Sequence, residues 1–143
     1  MVVLSPNNIQ ADEDSVSVTL TVNVISEPVV YTCYAIGVGT TKATLRGYLA
    51  DLGTPSSVQV SFGWDTVSHA DDPTAYTNWT VPQVKTEPGS FKTRIQGLSP
   101  GNTYYFRAKA VGDTTVYGLE YMFIAHPHWH WWWGWWEFSH WNW

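Results

Sequence analysis

Apolar and polar residues alternate along most of this chain with a period of two. The clearest run is Ser15-Val16-Ser17-Val18-Thr19-Leu20-Thr21-Val22-Asn23-Val24-Ile25. Val16, Val18, Leu20, Val22 and Val24 share one face, and Ser, Thr and Asn occupy the other, as a half-buried β-strand requires. Ahead of it, residues 5–14 are polar and acidic and read as a loop or arm. A Ser26-Glu27-Pro28 break follows. Further strands are predicted over Val30–Val38, Lys42–Leu49, Val58–Trp64, Phe91–Ile95, Thr103–Val111 and Val116–Ile124, with a weaker one around Tyr76–Val81. In Lys42–Leu49 the inward positions are Ala43, Leu45, Gly47 and Leu49. In Val58–Trp64 they are Val58, Val60, Phe62 and Trp64. Turn signals such as Gly53-Thr54-Pro55-Ser56 separate the runs. Asp65 to Gly89 is a long polar stretch. The pattern predicts an all-β fold, a β-sandwich with an extra N-terminal strand.

Gly97-Leu98-Ser99-Pro100-Gly101-Asn102-Thr103-Tyr104-Tyr105-Phe106-Arg107-Ala108-Lys109-Ala110 resembles the approach to strand F in fibronectin type III domains. The resemblance extends over about residues 29–125. Thr41–Leu49 looks like strand B of that family, Val58–Trp64 like strand C, and Val116–Phe123 like strand G. It implies a fibronectin type III-like (immunoglobulin-like) sandwich of the kind found in bacterial and archaeal surface proteins. It also implies a tyrosine corner at Tyr104, whose hydroxyl ties back to the preceding turn. The expected organisation is an arm and extension strand over 1–28, a sandwich over 29–125 and a tail over 126–143.

That tail changes the picture. Residues 126–143 hold eight of the ten tryptophans and four of the five histidines, with no Lys or Arg. A buried tryptophan removes about 150–250 Å² from water, so eight call for roughly 1,200–2,000 Å² of covering surface. Trp129, Trp131, Trp132, Trp133, Trp135, Trp136, Trp141 and Trp143 are therefore candidate assembly contacts, together with Val16, Val18, Leu20, Val22 and Val24 of the N-terminal strand. A long regular strand left unpaired is an association hazard. It either joins its own sandwich as an edge strand or is donated to a neighbour.

Charged residues make up only 13% of the chain and the formal net charge is −5. The seven Lys and Arg are scattered along the sequence, which disfavours nucleic acid as a partner. No segment has the length and composition of a membrane span or a signal peptide, and a membrane partner is disfavoured. The single cysteine, Cys33, allows no intrachain disulfide and reads as a small buried hydrophobe.

Candidate chemistry is sparse. His126, His128 and His130 stand at i, i+2, i+4 and could share one strand face as metal ligands. Asn78-Trp79-Thr80 fits the N-glycosylation triplet. His69 lies near Asp65 and Asp71, a grouping expected to be no more than loop polarity. No nucleophile elbow, phosphate loop or zinc-protease motif is present, and no cofactor is expected. The sequence therefore leads to the expectation of a non-enzymatic extracellular or cell-surface structural protein. Its partners would be copies of itself in a filament or sheath. The alternative is an adhesion module whose tail tryptophans stack on polysaccharide.

Overall fold

The computed structural model describes residues 2–12 and 15–128, with side chains from Leu20 onward. Among the described residues every regular element is a β-strand. They are β1 (Val2–Asp12), β2 (Ser15–Val24), β3 (Val29–Ile36), β4 (Lys42–Asp51), β5 (Val58–Asp65), β6 (Asn78–Trp79), β7 (Gln83–Lys85), β8 (Gly89–Gln96), β9 (Thr103–Val111), β10 (Thr115–Tyr117) and β11 (Tyr121–Ile124).

Two antiparallel sheets face each other as a sandwich. The smaller has the order β3-β4-β8. The larger is built on the β5-β9 pair: β10 and β11 share the free edge of β9, and β6 and β7 share that of β5. The period-two pattern explains which side chains meet between them. Ala43, Leu45, Leu49, Phe91 and Ile95 from the small sheet pack on Val58, Val60, Phe62, Phe106, Ala108 and Ala110 from the large one. Phe62 sits at the centre, with its ring 5.0 Å from Phe91 and 6.5 Å from Phe106. Gly47 follows the inward parity of β4 because a Cβ there would lie 2.5 Å from the Phe91 ring.

The tyrosine at the start of β9 closes one end of the core. The Tyr104 ring stacks on Phe123 at 5.5 Å, and its hydroxyl accepts the Ser99 N–H at 2.7 Å.

Several elements differ from the sequence reading. Residues expected to form a loop at 5–14 belong largely to β1, which pairs antiparallel with β2 in a register running from Val2↔Val24 to Asp12↔Ser15. The polar Pro6-Asn7-Asn8 run hides this strand, and an irregularity between Asn7 and Gln10 absorbs the break in alternation. Among the described residues β1 and β2 make a separate two-stranded sheet, so β2 is not an edge strand of the sandwich. The segment Val116–Ile124 is split into β10 and β11 at Gly118, which passes so close to Thr32 that a Cβ would lie 2.4 Å from its hydroxyl. Cys33 is half-buried and lies opposite Arg46, where a fully buried side chain was expected.

Candidate functional site

Three regions could carry function: the two ends of the sandwich, the polar segment after β5, and the outer face of the small sheet.

The ends are fixed by main-chain clasps. At one end, the Ser26 N–H donates to Thr54 Oγ1 at 2.7 Å, and the Thr54 N–H returns to the Ser26 carbonyl at 2.9 Å. This end also holds the start of β3 and the end of β4, since Val29 pairs with Asp51. The β1–β2 hairpin leaves from here. Leu20, Val22 and Val24 on β2 are 61%, 52% and 67% exposed, so the apolar stripe predicted for this strand lies uncovered over its described part. Val16 and Val18 lie on the same strand, within the stretch whose side chains are not described.

At the other end, Ala125 is gripped by the β8–β9 turn: its N–H donates to Asn102 O and its carbonyl accepts the Gly101 N–H, both at 2.9 Å. The His126 N–H then donates to Gly39 O in the β3–β4 turn at 2.9 Å. The chain past Ala125 leaves from this opposite end. His126 and His128 are exposed here; His130 and the tail tryptophans, Trp129 to Trp143, lie outside the described residues. Among the described residues no three His, Cys, Asp or Glu side chains gather as a metal site.

The polar segment folds back over the outer face of the large sheet, an arrangement the sequence does not suggest. Gly63 makes the room: a Cβ there would lie 2.9 Å from both the Tyr76 and Trp79 rings. Two carboxylates hold the segment down. Asp65 Oδ2 accepts the Thr77 N–H at 3.0 Å and Oγ–H at 2.6 Å and meets His69 Nε2 at 3.1 Å; Oδ1 accepts the Thr66 N–H at 2.7 Å. Glu120 accepts from Ser68 Oγ at 2.5 Å, from the His69 N–H at 2.7 Å and from the Tyr76 hydroxyl. Beneath them Arg107 is buried, one amino group donating to Ala70 O at 3.2 Å.

The electrostatics follow from this. Burial alone would raise the Asp65 carboxyl, but the bonds from Thr77, His69 and Thr66 outweigh it and hold the group well below its usual range. Burial likewise opposes ionisation of Glu120, and the bonds from Ser68, Tyr76 and His69 together with the Arg107 charge reverse the balance. Burial first, and then the bond to Glu120 and its charge, push the Tyr76 phenol up. The Ser68 and Thr77 hydroxyls donate to carboxylates and none is aligned on the His69 imidazole. This chemistry clamps the segment onto the sheet. His69 and Asp65, read from sequence as loop polarity, thus sit in a joined network, though Asp71 is exposed and outside it.

Trp79 lies on the same cap, 37% exposed, with Lys109 Nζ 4.5 Å from its ring centre. Asn78 is half-buried beside it. Its Nδ2 donates to Trp64 O at 3.3 Å, and the Thr80 hydroxyl accepts the Phe62 N–H at 2.9 Å. Both polar groups of the glycosylation triplet are therefore engaged with β5.

The third region corrects the impression that cations are scattered. Lys42, Arg46, Lys92 and Arg94 are all exposed, and all share the outward parity of β4 and β8. The antiparallel register brings them onto one face.

No family model and no curated protein sequence matches the chain. Among solved structures, it is similar to a short form of the sensor domain of the anti-sigma factor RsgI4 from Pseudobacteroides cellulosolvens. The match has a TM-score of 0.53 at 15% identity and covers 73% of this chain and 100% of that one. The solution structure of that sensor domain gives a TM-score of 0.54 at 16% identity, covering 71% of this chain and 76% of that one. At this level of identity the likeness concerns the fold alone.

Proposed function

We propose that this chain is a non-enzymatic structural subunit of an extracellular or cell-surface assembly, built on a fibronectin type III-like body and joined head to tail with its own copies. The observation that carries the reading is polarity. The hairpin leaves the sandwich at the Ser26–Thr54 clasp, and residues 126–128, which lead into the tryptophan-rich sequence, start from the Ala125–His126 clasp at the opposite end. Two different apolar segments attached at opposite ends of one body make a heterologous contact when they meet, which propagates as a filament unless its rotation closes a ring.

The energetic case rests on uncovered apolar surface. An isolated two-stranded hairpin is marginal in water. Fully covering a Leu or Val side chain contributes about 1.5–3 kcal/mol, so covering the Leu20, Val22 and Val24 stripe favours a partner strongly. The eight tail tryptophans supply a matching demand.

Sedimentation velocity with negative-stain microscopy tests the reading. The full chain is expected to form filaments, and a chain lacking residues 126–143 to remain a soluble monomer. A Leu20→Lys/Val22→Lys/Val24→Lys variant should also stay monomeric. Equal assembly of the truncated and full chains would exclude the tail as the contact and overturn the proposal.

A further inference from the structure

We infer that the outer face of the β3-β4-β8 sheet is a binding surface for an acidic polysaccharide. The inference is independent of the head-to-tail assembly, because this face lies on the flank of the sandwich, between its two ends.

The first argument is charge. Four of the chain's seven Lys and Arg, Lys42, Arg46, Lys92 and Arg94, stand on this face of a protein whose net charge is −5. No outward-facing position of β4 or β8 carries an acid; Asp51 closes β4 at the rim, with Oδ1 accepting the Gly53 N–H at 2.8 Å, and Glu87 lies in the turn before β8. None of the four cations takes part in an ion pair among the described residues, where the single pair is His69–Asp65.

The second argument is register. Arg46 lies directly opposite Lys92 on the neighbouring strand. Like charges in directly opposed positions destabilise a sheet, so this arrangement is a cost to the isolated domain. An anion lying across the pair relieves it. Arg94 follows Lys92 on the same face about 6.8 Å along the strand, and Lys42 lies about 13 Å from Arg46, one further row away. Cations spread at such intervals hold a small anion weakly but engage successive charges of a polymer together.

The third argument distinguishes among polyanions. Tyr31 and Tyr48 are directly paired across β3 and β4, 56% and 45% exposed, and continue the same face. Beside them a shallow groove runs between Ile36, Arg46 and the Ser90–Lys92 segment of β8. Tyrosine rings offer an apolar plane with a polar tip, which suits a sugar face. A guanidinium such as that of Arg46 pairs with a carboxylate through two parallel bonds. The densely charged nucleic-acid backbone fits less well, since the chain as a whole carries twelve Asp and Glu against seven Lys and Arg.

The experiment measures binding of the full chain to immobilised polygalacturonate by biolayer interferometry, at about 50 mM and about 0.5 M salt. Dextran serves as the neutral polymer and a single-stranded oligonucleotide as the competing polyanion. Binding to polygalacturonate is expected at low salt and should weaken at least tenfold at high salt. An Arg46→Gln/Lys92→Gln variant should bind at least tenfold more weakly, whereas Lys109→Gln, on the other sheet, should bind as the parent does. Because the double substitution removes a like-charge pair, its melting temperature should be equal to or above the parent's, which separates lost binding from misfolding. Unchanged binding by the double variant, equal binding to dextran, or tighter binding to the oligonucleotide would each overturn the inference.

Discussion

The Thr32 hydroxyl on β3 accepts the buried N–H of Ala108 on β9 at 2.9 Å, a hydrogen bond that runs from one sheet to the other. β9 needs it. Its edge is shared by β10, which pairs as far as Lys109, and by β11, which begins at Phe106. In the interval Gly118 donates to the Ala108 carbonyl at 2.9 Å, and Thr32 takes the N–H. Replacing Thr32 with Val keeps the shape and strands a buried donor, so a loss of about 1–3 kcal/mol is expected in urea unfolding. Thr32→Ser should lose less. A Val variant as stable as the parent would show that the bond is dispensable.

Tyr104 invites a similar test at the start of β9. Its hydroxyl accepts the Ser99 N–H at 2.7 Å, while its ring packs on Phe123 and Trp64. Tyr104→Phe removes only the oxygen and should cost about 0.5–1.5 kcal/mol. Tyr104→Ala removes the ring as well and should cost about 3–5 kcal/mol. Equal losses in the two variants would mean that the ring contributes nothing beyond the hydroxyl.

The clamp over the large sheet gives a pH dependence with a definite sign. A carboxyl held below its ordinary value stabilises the folded state above that value, and the stabilisation is lost as pH falls through the folded one. For Asp65 and Glu120 the ordinary values are 3.8 and 4.5, so stability should fall progressively as the solution is acidified below about pH 4.5. Tyr76 acts in the reverse sense. Its raised phenol contributes in full below its ordinary 10.0, and the contribution is lost as pH climbs above that. Asp65→Asn should cost about 1.5–3 kcal/mol at neutral pH and flatten the acid limb of a melting-temperature profile. An acid limb of the same slope in parent and variant would assign the effect elsewhere.

Gly63 probes the same cap by sterics. The nearest neighbours of a Cβ would be Tyr76 and Trp79 at 2.9 Å, both held by the segment above. Gly63→Ala should therefore lift the cap without disturbing the core, at a cost of about 1–3 kcal/mol. Faster proteolysis within residues 66–77 and an altered Trp79 environment in fluorescence are the expected readouts. An unchanged cleavage rate would show that the cap tolerates a methyl group.

How much of this was legible in the chain depends on how far apart the partners lie. The inward rows Ala43-Leu45-Gly47-Leu49 and Val58-Val60-Phe62 are local period-two patterns, and all these positions are buried. β1 was hidden because Pro6, Asn7 and Asn8 are poor strand formers, and its pairing with β2 decides its conformation. The cap joins Asp65 to Thr77 and Ser68 to Glu120, 52 residues apart in the second case, and no spacing rule announces such a pair. The basic face was half legible. Lys42 and Arg46 share the parity opposite to Leu45, and Lys92 and Arg94 that opposite to Phe91, but only the β4–β8 register shows that the two pairs adjoin.

The polarity of the sandwich leads to a last prediction. If the hairpin of one copy meets the tryptophan-rich segment of the next, each joint needs one element from each partner. A chain lacking residues 2–24 keeps only the tail, and a chain lacking 126–143 keeps only the hairpin. Each alone should be monomeric. Mixed in equal amounts they can form one joint and no more, because the complex then presents neither element at its free ends. Sedimentation should show a heterodimer with no longer species. Filaments in the mixture, or in either truncated chain alone, would mean that the contact is not heterologous, and the two ends of the sandwich would then have no directional role.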